Sequence, residues 1–132
     1  MIERYLMPGA PAPRGPYSHA VRAGDFVFVS GMGPIDPATN EFSFGDIQHE
    51  TRLVLDNIRK ILEGCGASLD DVVQCRVFLD DRGDFAAMNE VYAEFFGQAK
   101  PARTTIQAVL PSERMKVEID CIAWKPISSE PA

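Results

Sequence analysis

The chain has 132 residues, of which 45% are hydrophobic and 24% are charged. This length suits one domain, spanning residues 1–132, and the composition excludes wholesale disorder. The formal net charge is −6, which provides no general attraction for phosphate backbones or anionic lipid. Nucleic acid and membrane are therefore not expected as partners, and an anionic small molecule would have to be drawn by a local cation.

The residue types that bind metals or form disulfides are few and scattered. They show neither a CxxC pair nor a histidine-rich cluster, so the sequence predicts no disulfide framework and no metal site. The residues concerned are Cys65, Cys75, Cys121, His19 and His49. Small buried hydrophobes are the default role of such cysteines. Reduced thiols, no signal-peptide core at the N-terminus and no apolar run near ~18 residues together predict a cytoplasmic protein.

The first third of the chain predicts a loop followed by a β-hairpin. Residues 8–16 carry four prolines and two glycines, which exclude a helix and favour an extended lead-in. Residues 17–22 and 26–31 predict two strands, joined by turn residues at 23–25. Both alternating sets of the second strand are apolar, so both faces of the sheet should be buried there.

A helix is predicted after a turn-rich connection that ends in a short strand or loop at residues 41–44. From Ile47 to Cys65, apolar residues recur at the spacing of an amphipathic helix. Asp46 is the predicted N-cap, and Gly64 or Gly66 should end the helix.

The second half of the chain alternates between strand and helix patterns. Residues 72–79 have the β-branched content of a strand, and an amphipathic helix is predicted from Asp84 to Gly97. Two further strands are predicted at residues 103–110 and 115–124. The short connection between these two favours a hairpin, which would bring Arg103 and Glu118 together.

The predicted order β-β-α-β-α-β-β favours an α+β fold, a mixed sheet with two helices packed on one face. Two helices cover only one sheet face. The other face combines apolar residues of the second strand with the charged residues Lys116, Glu118 and Asp120 of the last strand. Such a surface is typical of a subunit interface that contains a polar pocket, so we expect a homo-oligomer.

Arg103 and Glu118 are the candidate catalytic pair. An arginine can clamp a carboxylate through two hydrogen bonds, and a glutamate can pass a proton between water and a leaving amine. Taken alone, however, Arg103 is also compatible with a surface cation, and Glu118 with a solvated strand face.

Several motifs occur in the order and spacing of one family. Over residues 8–125 the sequence resembles the reactive intermediate deaminase family, the RidA or YjgF type. The resemblance rests on these segments: Gly15-Pro16-Tyr17-Ser18-His19-Ala20, Phe28-Val29-Ser30-Gly31, Asn89-Glu90-Val91-Tyr92-Ala93-Glu94-Phe95-Phe96, Pro101-Ala102-Arg103 and Val117-Glu118-Ile119.

The resemblance implies a chorismate-mutase-like fold and a homotrimer with its active sites between subunits. It also implies hydrolysis of 2-aminoacrylate, 2-iminopropanoate and 2-iminobutanoate to the 2-keto acid and ammonia, without a cofactor. By matched position, Arg103 would hold the substrate carboxylate and Glu118 would position water. The matched pocket residues are Tyr17, Ser30, Gly31, Asn89 and Thr105.

Two positions depart from the common family pattern. Many members carry a cysteine where this chain has Thr105, and a glutamine where it has Met32. The first change excludes a cysteine nucleophile at that position and leaves attack by water unaffected.

Three alternative functions remain open from the sequence. One is deamination of an aminoacrylate or aminomuconate-type catabolic intermediate by the same fold. Another is a non-catalytic module that binds a small carboxylate in the same pocket. The third is RNA cleavage, which an acidic chain without a catalytic histidine pair or basic groove does not favour.

Overall fold

The computed structural model describes residues 2–127, and in that range it contains a six-stranded sheet and a two-stranded ribbon. The strands are β1 (Ile2–Tyr5), β2 (Ala20–Ala23), β3 (Phe26–Met32), β4 (Ile35–Asp36), β5 (Glu41–Phe42), β6 (Val72–Leu79), β7 (Ala102–Gln107) and β8 (Val117–Trp124). In space the large sheet runs β1-β2-β3-β8-β6-β7, and β4 pairs with β5. Neighbours are antiparallel except β6 and β7, which are parallel.

Two α-helices accompany the sheet, α1 (Ile47–Gly64) and α2 (Phe85–Phe96). The Asp46 side chain accepts a hydrogen bond from the His49 N–H at 2.8 Å, which confirms the predicted N-cap. Beyond the end of α1, Gly66 has a φ of +81°, a conformation that favours glycine. Single 3₁₀ turns precede β6 and α2, at Leu69–Asp71 and Arg82–Asp84.

The core lies between the helices and one face of the sheet. On that face every second residue of the central strand β8 is buried, namely Val117, Ile119, Cys121 and Ala123. The apolar stripe of α1 is also buried, with Val54, Leu55, Ile58, Ile61 and Leu62 fully inaccessible. The predicted α+β arrangement with both helices on one face is confirmed.

The opposite face, here called the open face, has no helix over it in the described part of the chain. Phe26, Phe28 and Trp124 lie on it and remain 43%, 44% and 48% exposed. The prediction that both faces of the sheet are buried at β3 is not met within the described single chain, where only its Val27 and Val29 side is buried.

The predicted hairpin between the last two strands is wrong. β7 pairs with β6 in parallel, and β8 lies on the other side of β6, between β6 and β3. The cause is packing. The unbroken apolar row of β8 is buried best in the centre of the sheet, whereas β7 has the polar residues Arg103, Thr105 and Gln107 on that face and can form the edge strand. Arg103 and Glu118 are therefore two strands apart.

Smaller differences from the prediction concern one additional strand and the ends of three others. β1 was not expected, because its four residues carry two charges and little alternation. β2 begins at Ala20 rather than residue 17, and β7 and β8 are shorter than predicted. Neither helix within residues 2–127 has the length and apolar character needed to cross a membrane.

Candidate active site between two sheet faces

Glu118 lies on the open face and lines a cavity of about 870 Å³. Gly31 of β3 lies next to it, within the irregular stretch of the β3–β8 pairing between Val29 and Met32. A Cβ atom added to Gly31 would lie 2.5 Å from Oε2 of Glu118. The absence of a side chain at residue 31 thus lets the Glu118 carboxylate approach the β3 backbone in its observed position.

An ion pair stands beside Glu118 on the same face. Asp120, two residues further along β8, accepts hydrogen bonds from Nε of Arg76 at 3.0 and 3.1 Å and from its Nη2 at 2.6 Å. Burial raises the pKa of the Glu118 carboxyl above the ordinary glutamate value of 4.5, and the charge of Asp120 raises it further. A carboxyl with a raised pKa is suited to accept and return a proton.

Tyr17 and Ser30 line the same cavity. The Tyr17 hydroxyl accepts a hydrogen bond from the Arg14 backbone N–H at 3.2 Å, so its own proton is available to a ligand. Ser30 donates its hydroxyl proton to the Ser18 carbonyl at 2.6 Å, which leaves the hydroxyl oxygen as an acceptor. The cavity therefore offers one donor and one acceptor close to Glu118.

Arg103 lies on the other face of the sheet. It stands opposite the buried Cys75 in the β6–β7 register, and its guanidinium carbon is 4.7 Å from the ring centre of Tyr92 and 5.5 Å from that of Phe85. Both rings belong to α2. Among residues 2–127 no carboxylate forms an ion pair with Arg103. Aromatic contacts hold this cation in place, and its charge stays available to an anion.

Unpaired polar atoms accompany Arg103. Asn89 is on the helical stripe of Phe85 and Tyr92, which lie four and three residues away from it along α2. Its Oδ1 atom is buried and has no hydrogen-bond partner in the described chain, and the same holds for Thr105 Oγ1. Buried polar atoms are rarely left unpaired, so this edge is suited to receive a further polar group.

The predicted site residues thus form two groups in one chain. Tyr17, Ser30, Gly31 and Glu118 meet in the open-face cavity, whereas Asn89, Arg103 and Thr105 belong to the edge between α2 and β7. The sheet separates the two groups. A ligand can touch both only if a second copy of the chain brings its α2–β7 edge against the cavity.

Three charged residues of the cavity were missed by the sequence reasoning, namely Arg14, Arg76 and Asp120. Asp120 had a detectable signal, because it alternates with Glu118 and must share its face. Arg76 becomes a candidate only once β6 is known to pair with β8. For Arg14, in the proline-rich loop, no sequence signal was present.

The site offers no metal cluster in the described chain, where no three His, Cys, Asp or Glu side chains stand together in a metal-binding arrangement. Burial raises the pKa of the Cys75 thiol to about 11, so this cysteine, opposite Arg103, stays protonated at neutral pH. Its contribution is that of a small apolar side chain.

Comparison with known proteins shows which family has this arrangement. A family sequence model described as Endoribonuclease L-PSP matches residues 7–125. A RutC family protein of Pyrococcus horikoshii is 50% identical over 125 residues, which cover 95% of this chain and 99% of that protein. The chain belongs to the RidA/YjgF family.

Members of the RidA/YjgF family carry different names. The chloroplastic Reactive Intermediate Deaminase A of Arabidopsis thaliana is 40% identical over 114 residues, covering 86% of this chain and 61% of that protein. The crystal structure of Escherichia coli TdcF with bound serine has a TM-score of 0.86 and 36% identity, covering 93% of this chain and 98% of that one. The RidA/YjgF family thus includes a deaminase and a structure that holds a small amino acid.

Proposed function

We propose that the chain is a deaminase that hydrolyses 2-imino and 2-enamino acids to 2-keto acids and ammonia, with 2-aminoacrylate, 2-iminopropanoate and 2-iminobutanoate as substrates. The observation that carries the proposal is the position of Glu118, a half-buried carboxyl of raised pKa against Gly31 in an open-face cavity. The relatives named above support the same class of reaction.

Arg103 is the proposed anchor for the substrate carboxylate. Its guanidinium is positioned by two aromatic rings and has no ion-pair partner in residues 2–127. A planar, permanently charged fork binds a carboxylate through two parallel hydrogen bonds and so fixes the orientation of the C=N group. Asn89 and Thr105, with their unpaired oxygen atoms, would contact groups of the same ligand.

Glu118 is the proposed proton-transfer group. The ionised carboxylate accepts a proton as water attacks the C=N carbon, and the C–O bond forms while the electron pair of the double bond moves to nitrogen. Glu118 then returns the proton to nitrogen, which gives a neutral carbinolamine. Glu118 next accepts the proton of the new hydroxyl group and passes it to nitrogen, so the C=O bond forms as the C–N bond breaks and ammonia leaves. Imines already hydrolyse in water, so orientation and one acid–base group can supply the required acceleration.

The active form is proposed to be a homotrimer, in which Arg103 of one copy faces Glu118 of another. Two features support assembly. The two groups of site residues lie on opposite faces of one sheet, and the open face exposes Phe26, Phe28 and Trp124. Exposed apolar surface around a polar cavity is typical of an interface.

The first test is hydrolysis of 2-aminoacrylate released by a dehydratase. Arg103→Gln and Glu118→Gln should each lose activity by roughly a hundredfold, because each removes one half of the mechanism. Arg52→Gln, which removes an exposed cation paired with Glu94, is the matched control and should be fully active. An inactive natural chain, or full activity in Arg103→Gln, would contradict the proposal.

The sharper test mixes the two inactive variants. If a site takes Arg103 from one copy and Glu118 from another, refolding Arg103→Gln together with Glu118→Gln rebuilds some intact sites, and activity returns. If both residues act within one copy, the mixture stays inactive. Parallel assays on 3-aminoacrylate and on RNA would detect the two alternative activities, and ligand binding without turnover would favour the non-catalytic alternative.

A further inference from the structure

Arg14 is a second cation at the open-face cavity that the proposed mechanism does not use. It lines the cavity together with Tyr17 and Glu118. The cavity's other cation, Arg76, is already neutralised by its hydrogen-bonded pair with Asp120. Arg14 forms no ion pair with any carboxylate of residues 2–127. Its charge is therefore uncompensated in a chain of net charge −6.

The Arg14 side chain is held in a defined position. Its guanidinium carbon is 4.6 Å from the ring centre of Phe42, which also lines the cavity, and Nη2 donates a hydrogen bond to the Asn40 carbonyl at 2.6 Å. Asn40 has a φ of +59°. A guanidinium has five N–H donors, so most of them have no acceptor in the described chain.

The support behind Arg14 is a stack of four side chains. The rings of Phe42 and Phe44 are stacked with centres 5.0 Å apart, and the guanidinium carbon of Arg114 is 4.5 Å from the ring centre of Phe44. The stack joins the proline-rich loop, the segment after β5 and the loop before β8. It restricts Arg14 to the cavity wall and lowers the entropy that binding must remove.

We propose that Arg14 forms a subsite for a second anionic group, so that the enzyme favours 2-imino acids whose side chain ends in a carboxylate. This inference rests on the proposed function, in which Arg103 of another copy holds the first carboxylate. Arg14 and Glu118 line the same single-chain cavity, so a ligand at Glu118 can present a second anionic group to Arg14.

The experiment measures binding of two stable 2-keto acids by calorimetry. 2-Oxoglutarate carries the second carboxylate and 2-oxobutanoate lacks it. The natural chain should bind 2-oxoglutarate about tenfold more tightly, because a hydrogen bond to a charged group contributes ~1.5 kcal/mol or more and 1.4 kcal/mol corresponds to a factor of ten. Arg14→Gln should remove that difference, and Arg14→Lys should restore part of it.

Arg52→Gln is the matched control, since it removes one cation at a surface away from the cavity and should leave the ratio unchanged. Equal affinities in the natural chain, or an unchanged ratio in Arg14→Gln, would overturn the subsite. An equal loss for both acids would also overturn it, because Arg14 would then hold the first carboxylate. The binding measurements do not require catalysis, so they test the subsite even if the deaminase assay shows no activity.

Discussion

Two glutamates of this chain occupy opposite faces of the sheet. Glu50 of α1 is fully buried on the helix side, and its carboxylate accepts hydrogen bonds from the backbone N–H groups of Lys116 at 2.8 Å and Gly45 at 3.2 Å. Glu118 is half-buried on the open face, has no hydrogen-bond partner of its own in residues 2–127, and lies beside another carboxylate. The Glu50 carboxylate thus has hydrogen-bond donors within the described chain, whereas the Glu118 carboxylate has none.

The difference separates a structural role from a chemical one. A buried carboxylate whose oxygens are paired with backbone N–H groups fixes the segments that donate them. Glu50 thus connects α1 to Lys116, the residue before β8, through a hydrogen bond and an ion pair. A carboxylate with free lone pairs can instead accept protons from water. A substitution at Glu50 should therefore alter stability, and one that disturbs Glu118 should alter activity.

The largest stability loss is expected for Glu50→Leu. The change leaves the N–H groups of Lys116 and Gly45 without their acceptor, and the free energy of unfolding should fall by about 3 kcal/mol. Urea unfolding of the variant measures the loss. Glu63→Leu, also on α1 but exposed, is the control and should stay within about 0.5 kcal/mol. Equal effects at both positions would contradict the structural role of Glu50.

Gly31→Ala should reduce kcat/KM by about a hundredfold while leaving the urea midpoint nearly unchanged. The added methyl group displaces the end of the Glu118 side chain, which can rotate at little energetic cost but then no longer occupies its reactive position. Gly9→Ala, where an added Cβ meets nothing within 4 Å, is the matched control. Normal activity of Gly31→Ala would argue against a role of Glu118 in proton transfer.

A smaller effect is expected at the start of α1. Asp46→Ala removes the side-chain acceptor for the His49 N–H and should lower stability by about 1 kcal/mol without changing the rate. Thermal unfolding and the deaminase assay, run on the same preparation, measure both quantities. A loss of rate that exceeds the loss of folded protein would connect α1 with the chemistry.

The pH dependence should show the smallest but most specific effect. Glu118 must be ionised to accept a proton, so the rate falls as the pH drops through its raised pKa. The charged groups that line its cavity are Arg14, Arg76 and Asp120. Arg76→Gln leaves the charge of Asp120 uncompensated, so the Glu118 pKa rises and the acid limb moves to higher pH.

Asp120→Asn should move the acid limb of the rate profile the other way, because it removes the negative charge that raises the Glu118 pKa. A profile of kcat/KM against pH for the two variants and the natural chain tests the pair of signs. If both variants shifted the acid limb in the same direction, a group other than Glu118 would control the fall in rate at low pH.

Local sequence patterns predicted both helices and the main strands, although not β1. The helical period from Ile47, the Asp46 cap and the apolar alternation of β8 are local signals, since each depends on neighbouring side chains and backbone N–H groups. The charge alternation around Glu118 also predicted correctly that a polar group would lie on an otherwise apolar face. Motif spacing named the site residues, whose roles remain predictions.

Which strands are neighbours became clear from the tertiary structure alone, and the strand order separates Arg103 from Glu118 within one chain. Chain proximity favoured a hairpin, but burial of the apolar row on β8 outweighed it and placed β6 between Glu118 and Arg103. The same long-range packing brought Arg76 to Asp120 and the ring of Phe42 to Arg14. Such contacts depend on burial summed over the whole sheet, so no local pattern encodes them.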